Sequence, residues 1–189
     1  ITSLETKSIN CSSNLREIRW GKQAFLEAII ITHFPKAPEM NLTAYPLKSS
    51  TSLMVFEFTS VGPKGSIIKL VKYTKLNDNG LYNLAFGDKV NEKGDINDSI
   101  ISNNADSELV LATVVRTLYI FTNTYPNVCV YASGSTKSRT RLYRIGITKY
   151  LPAIKRDFYL FGWRDGILEH FKENEPYEAF LITRKKLSL

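Results

Sequence analysis

Val128-Cys-Val-Tyr-Ala-Ser-Gly-Ser-Thr-Lys-Ser-Arg-Thr-Arg-Leu-Tyr-Arg-Ile-Gly-Ile147 joins two different hydrophobic patterns. Residues 128–132 are a continuous apolar run, as expected of a strand buried on both faces. Ser133 and Gly134 break that run. Ser135 or Gly134 then caps a helix, Thr136 adds a second hydroxyl, and Lys137, Arg139, Arg141 and Arg144 follow at helical spacing. Helix N-terminal amides, hydroxyls and arginines in one place form an arrangement that captures anions. The reading places Leu142 and Ile145 toward a sheet, expects Gly146 to end or bend the helix, and lets Thr148 cap a short further piece that stops near Pro152.

Working outward, residues 109–124 are apolar nearly all round, which predicts a helix buried on several sides. Ser102-Asn-Asn-Ala-Asp-Ser-Glu108 supplies its N-cap and an acidic first turn. Upstream, residues 53–60, 66–75 and 81–86 read as strands. They are separated by Gly62-Pro-Lys-Gly65 and by Asn77-Asp-Asn-Gly80, the latter a turn that requires positive φ. Lys69 and Lys72 fall out of alternation, which predicts a bulge or twist in the second strand. Gly87 and Asp88 are expected to end the third strand, and residues 96–102 to form a short further one. Downstream, residues 156–162, 167–171 and 177–183 read as strands. The order β-β-β-α-β-α-β-β, with hairpins at both ends, predicts an α+β fold: a mixed, largely antiparallel sheet with helices packed on it.

The chain has 189 residues, enough for one domain with a real core and short for two. Its composition is 43% hydrophobic and 23% charged, which excludes wholesale disorder, and its formal charge of +7 favours acidic partners. Cys11 and Cys129 support neither a disulfide framework nor a zinc spacing, which favours a reducing, cytoplasmic setting. Cys129 then reads as a small buried hydrophobe. With His33 and His170 the only histidines, a Ser-His-Asp machine or a multi-imidazole metal site is excluded on supply.

Residues 1–39 read as a leader, non-native or loosely held, ahead of a single α+β domain over residues 40–189. Residues 24–34 are apolar but interrupted by Glu27, and about half the length a spanning helix needs. Pro35 and Pro38 close the leader, and Met40 reads like a natural start.

Several short motifs recur as a set: Phe56-Glu-Phe58, Gly62-Pro-Lys-Gly65, Asn83-Leu-Ala-Phe-Gly-Asp88, Ser102-Asn-Asn104 with Asp106, Leu111-Ala-Thr113, and Gly134-Ser-Thr136 with Arg139-Thr-Arg-Leu-Tyr-Arg144. On these the chain resembles, from Met40 to about Lys185, an uncharacterised family of small bacterial proteins, a domain of unknown function best represented in Bacteroidota. The resemblance implies a fold-sized unit and no catalytic residues. The strand–helix order is also similar to that of ribonuclease-H-like nucleases, which hold two Mg²⁺ ions on clustered carboxylates. Glu57 and Glu108 can stand for two of these, but Ser133 and Gly134 occupy the place where a third is required. Fold analogy alone carries no function.

The first expectation is therefore a module binding nucleic acid, a nucleotide or another phosphorylated ligand through Gly134, Ser135, Thr136, Lys137, Arg139, Arg141 and Arg144. Secondary candidates are Lys64, Asp88, Asn103, Asn104 and Asp106. Tyr143 and Tyr150 are candidates for stacking on bases. A second expectation is an enzyme of nucleotide or phosphate chemistry with Asp88 or Asp106 opposite Arg139 and Arg141. A third is a self-associating subunit whose acidic segment, residues 78–108, pairs with the basic helix of another copy. The acidic residues do not match a calcium loop, and no metal, cofactor or membrane partner is implied. The two site readings separate by distance: the enzyme needs the carboxylates and arginines in one cleft.

Overall fold

The alternating segments become a sheet and the all-round apolar segment becomes its central helix. The computed structural model describes residues 28–29, 43–97 and 102–185. Strands β1 (Ala28–Ile29), β2 (Lys48–Ser50), β3 (Val55–Gly62), β4 (Gly65–Lys75), β5 (Leu81–Lys89) and β6 (Ile96–Asn97) come first. Helix α1 (Ser107–Thr124), strand β7 (Cys129–Ala132) and helices α2 (Lys137–Lys149) and α3 (Leu151–Asp157) follow. Strands β8 (Phe158–Arg164), β9 (Ile167–His170) and β10 (Ala179–Arg184) complete the order. All ten strands share one sheet in the order β1-β2-β3-β4-β5-β7-β10-β8-β9, with β6 on the far end of β5. The fold is α+β, and β5 with β7 is the one parallel pairing among the described strands. Apart from β1, residues 1–39, read from sequence as a leader, lie outside the described residues, as do residues 98–101.

The core forms where α1 covers the sheet. Tyr73 on β4 stacks on Phe121 at 3.9 Å and its hydroxyl lies 3.0 Å from that of Thr117. Phe56, Phe58, Val71, Leu84 and Phe86 supply the rest of the covered face, and Tyr143, Leu151 and Ile154 bring α2 and α3 onto it. Leu81, Cys129 and Leu181 form a small apolar cluster of their own.

Five expectations need correction. Strand β4 has no bulge: it is in unbroken register with β3 and β5, and Lys69 simply points inward with Val71 and Tyr73. That placement is tolerated because Lys69 meets its cross-strand neighbour Asp88 on the same face, in a direct ion pair. Strand β5 runs on through Gly87, where the absent Cβ lets β6 pack close: a methyl there would lie 2.5 Å from the Asn97 carbonyl oxygen. Helix α2 runs through Gly146, which admits the Leu111 side chain of α1. Pro152 begins α3 instead of stopping a helix, in the first turn where its missing N–H is harmless. Cys129 is disulfide-bonded, so the cysteine argument for a reducing, cytoplasmic setting falls away. No described helix is long and apolar enough to cross a membrane.

Candidate functional site

At one end of the covered face the sheet turns polar. Ser60 of β3, Lys69 of β4 and Asp88 of β5 take the inward positions that Phe58, Val71 and Phe86 hold further along. Lys69 is 5% exposed, and besides Asp88 it donates to the Ser102 hydroxyl at 2.7 Å. A buried ammonium needs that much compensation.

The Ser102-to-Asp106 loop is fastened over this polar end. Asn104, itself buried, donates to the Ser60 hydroxyl and to the Gly65 carbonyl, both at 3.0 Å, and accepts the Lys64 N–H at 2.9 Å. Lys64 closes the other side by donating from Nζ to the Ser102 carbonyl at 2.6 Å. Gly62 is required there, because a Cβ would lie 1.9 Å from the Asn104 carbonyl oxygen. Two non-glycine residues of the loop, Asn103 and Ala105, hold positive φ, at 41° and 59°. Such backbone persists only when its surroundings over-determine it. Asp106 stands at the N-cap of α1 but makes no side-chain bond to the helix. Its Oδ2 instead accepts the Tyr45 hydroxyl at 2.8 Å and the Ser60 hydroxyl at 2.6 Å.

Helix α2 starts beside this loop, and its entry is closed on itself. The N-cap is Thr136, not Ser135 or Gly134: its backbone is extended and its hydroxyl accepts the Arg139 N–H at 3.3 Å. Thr140 accepts the Gly134 N–H at 3.2 Å, and a Cβ on Gly134 would lie 2.3 Å from the Thr140 nitrogen. Gly134 and Thr136 are thus committed to building the strand-to-helix turn. They do not line the adjoining cleft, and neither do Ser135 and Lys137.

The buried side of α2 is set by Arg139, Thr140, Tyr143 and Gly146, not by Leu142 and Ile145. Tyr143 stacks on Phe86 at 5.1 Å, which removes it as a platform for bases, and Tyr150 packs half-buried against the core. Arg139 is 7% exposed, with its guanidinium 5.8 Å from the centre of the Phe86 ring and a long 3.4 Å bond to the Phe86 carbonyl. No carboxylate among the described residues pairs with it. Arg144 leaves the group, donating to the Glu175 carbonyl at 2.8 Å.

These parts enclose a cleft of about 370 Å³ between the N-terminal ends of α1 and α2. Lys69, Arg139 and Arg141 contribute cations to its lining, Asp106 a carboxylate, and Ser102, Asn103, Asn104, Ser107 and Ser138 further polar groups. Arg141 is exposed and makes no hydrogen bond or ion pair among the described residues. Of the sequence-derived candidates, the structure gathers Arg139, Arg141, Asn103, Asn104 and Asp106 directly. Asp88 and Lys64 stand behind them, and Gly134, Ser135, Thr136, Lys137 and Arg144 lie aside. Lys69 was missed; its inward position opposite an inward Asp88 is the signal that finds it.

Among the described residues the acidic segment meets the basic helix in one ion pair, Glu108 of α1 with Lys149 of α2 at 2.6 Å. Glu92 lies near Lys89, and Asp95 bonds Asn91. Glu57, ion-paired with Lys89 at 3.0 Å, likewise has a structural partner.

A family model described as a family of unknown function (DUF6934) matches residues 41–185. No curated protein and no solved structure matches the chain.

Proposed function

The chain belongs to that family of unknown function, and we propose that it binds a small phosphorylated or similarly anionic ligand in the cleft between α1 and α2. The observation that carries this reading is Arg139, a buried guanidinium that lines the cleft with no carboxylate partner among the described residues. A desolvated cation without a counter-ion is costly unless something anionic completes it. Exposed Arg141 beside it, and the start of α1 left without a side-chain cap by Asp106, support the same conclusion.

The size and distribution of charge favour a small ligand over a nucleic-acid strand. A duplex or single strand needs a track of available cations. Here Arg144, Lys149 and Arg156 are each engaged, by the Glu175 carbonyl, Glu108 and Asp157. The self-association reading loses Arg144 and Lys149 from its basic surface for the same reason.

Calorimetric titration with inorganic phosphate, adenosine monophosphate and a ten-base oligonucleotide tests the reading, on wild type and on Arg141→Ala. Phosphate or the monophosphate should bind, about tenfold weaker in the variant, with the oligonucleotide no tighter than its monomer. Equal affinities in both proteins for every ligand would remove the proposal.

One observation favours a second, enzymatic reading: Asp106 lines the same cleft as Arg139 and Arg141. Asp88 is not available for such a role, being held by Lys69. Hydrolysis of a phosphate ester by wild type but not by Asp106→Asn, with ligand binding intact in both, would move the assignment from binding to catalysis.

A further inference from the structure

Behind the polar cleft lies a second, apolar cavity of about 90 Å³ between α1, α2 and the sheet. Leu84, Val114, Val130, Ile147 and Leu160 are among its walls. Phe86 and Leu111 line both spaces, so these two side chains form the partition between cation-bearing cleft and greasy cavity. Interiors are normally packed to the density of organic crystals, and a void of this kind forfeits contacts on every side. Gly146 is what lets Leu111 stand in the partition, since Leu111 occupies the space left by its missing side chain, with 3.0 Å between Cδ1 and where a Cβ would be.

The outer lip of the cleft is also apolar. Leu142 and Ile145 project over it from α2, and Ile145 is 52% exposed. A bare inorganic anion would satisfy Arg139 and Arg141 but would leave Leu142, Ile145 and the cavity with nothing to cover them.

Resting on the anion-binding reading, we infer that the ligand is amphiphilic: an anionic head held by Arg139 and Arg141, joined to a short apolar tail that passes Leu111 into the cavity. At roughly 30 Å³ per small group, the cavity accepts about three carbons. A short alkyl phosphate monoester or a short-chain carboxylate has the required shape, and a long acyl chain does not.

The test is a homologous series of methyl, ethyl, propyl and hexyl phosphate, with inorganic phosphate as reference, titrated into the full chain. Affinity should rise about fourfold per methylene up to propyl and then level off. Two variants fill the cavity from opposite walls, Ala132→Val on β7 and Val114→Ile on α1. Each should keep the affinity for methyl phosphate and lose the gain with chain length, and either one suffices if the other misfolds. A series that is flat in wild type while inorganic phosphate binds would show an ordinary packing defect and overturn this inference alone. A gain that survives both variants would overturn it too. If neither phosphate nor any ester binds, the anion-binding reading fails and the tail goes with it.

Discussion

The guanidinium of Arg139 sits 5.8 Å from the centre of the Phe86 ring and reaches the Phe86 carbonyl at 3.4 Å, across 53 residues of sequence. A helix that carries its arginine inward onto a strand, while leaving Leu142 and Ile145 at the rim, inverts the usual amphipathic order. That inversion is where local consistency gives way, and such places are where function is expected.

Arg139→Met keeps the volume and discards the charge. The variant should be about 1 kcal/mol more stable in chemical denaturation, as when strained functional sites are relieved. Its affinity for inorganic phosphate should fall about tenfold or more. A variant that is both less stable and unimpaired in binding would mean that Arg139 serves the fold alone.

Lys69, which lines the cleft, and Asp88 behind it form a mostly buried ion pair. Lys69→Met leaves the carboxylate uncompensated and should cost about 3 kcal/mol. Adding Asp88→Leu should restore most of the loss. Urea unfolding of the two single variants and the double variant measures the coupling, and additive losses would refute it.

How much of this was legible beforehand follows from where each signal resides. The three leading strands, α1 and the hairpin turn at Asn77-Asp-Asn-Gly80 depend on period and turn chemistry, which are local, and Gly80 takes the positive φ of 80° that the turn requires. The inward Lys69 reads from sequence as a bulge or twist because alternation alone cannot distinguish an irregular strand from a regular one carrying a paired charge. Gly134 and Thr136 have the composition of an anion site but spend their hydrogen bonds on Thr140 and Arg139. Which face of α2 is buried, and that Asn104 and Asp106 reach Ser60, depends on packing between segments more than 40 residues apart.

The Ser102-to-Asp106 loop should depend on Asn104 more than on any surface contact. Asn104→Ala removes three hydrogen bonds and should cost about 2 kcal/mol. Gly62→Ala should cost about 3 kcal/mol, because its Cβ meets backbone that must move. Near-wild-type melting of both variants would show that the loop is not fastened as described.

Acid and alkaline limits have separate origins. The Arg156 guanidinium, against the opposing effect of burial and with help from the Tyr119 hydroxyl, holds the Asp157 carboxyl below its ordinary range. A lowered folded value means stability that is complete above the unfolded value of about 3.9 and lost as pH falls through the folded one. Asp157→Asn should therefore be less stable than wild type at about pH 6 and converge with it in strong acid. Burial pushes the Tyr73 phenol up, with Thr117 opposing. That stability is present below about pH 10 and is lost above it, so Tyr73→Phe should flatten the alkaline limb. Stability–pH curves of identical shape in variants and wild type would count against both assignments.

The central claim is that one cleft, between the starts of α1 and α2, takes an anion. Amide chemical-shift mapping of the full chain during a phosphate titration tests it most directly. Saturable shifts are expected at Asn104, Ser107, Ser138 and Arg139, and none in Arg139→Met. Saturable shifts confined to another surface, or none at these residues at saturating phosphate, would contradict it.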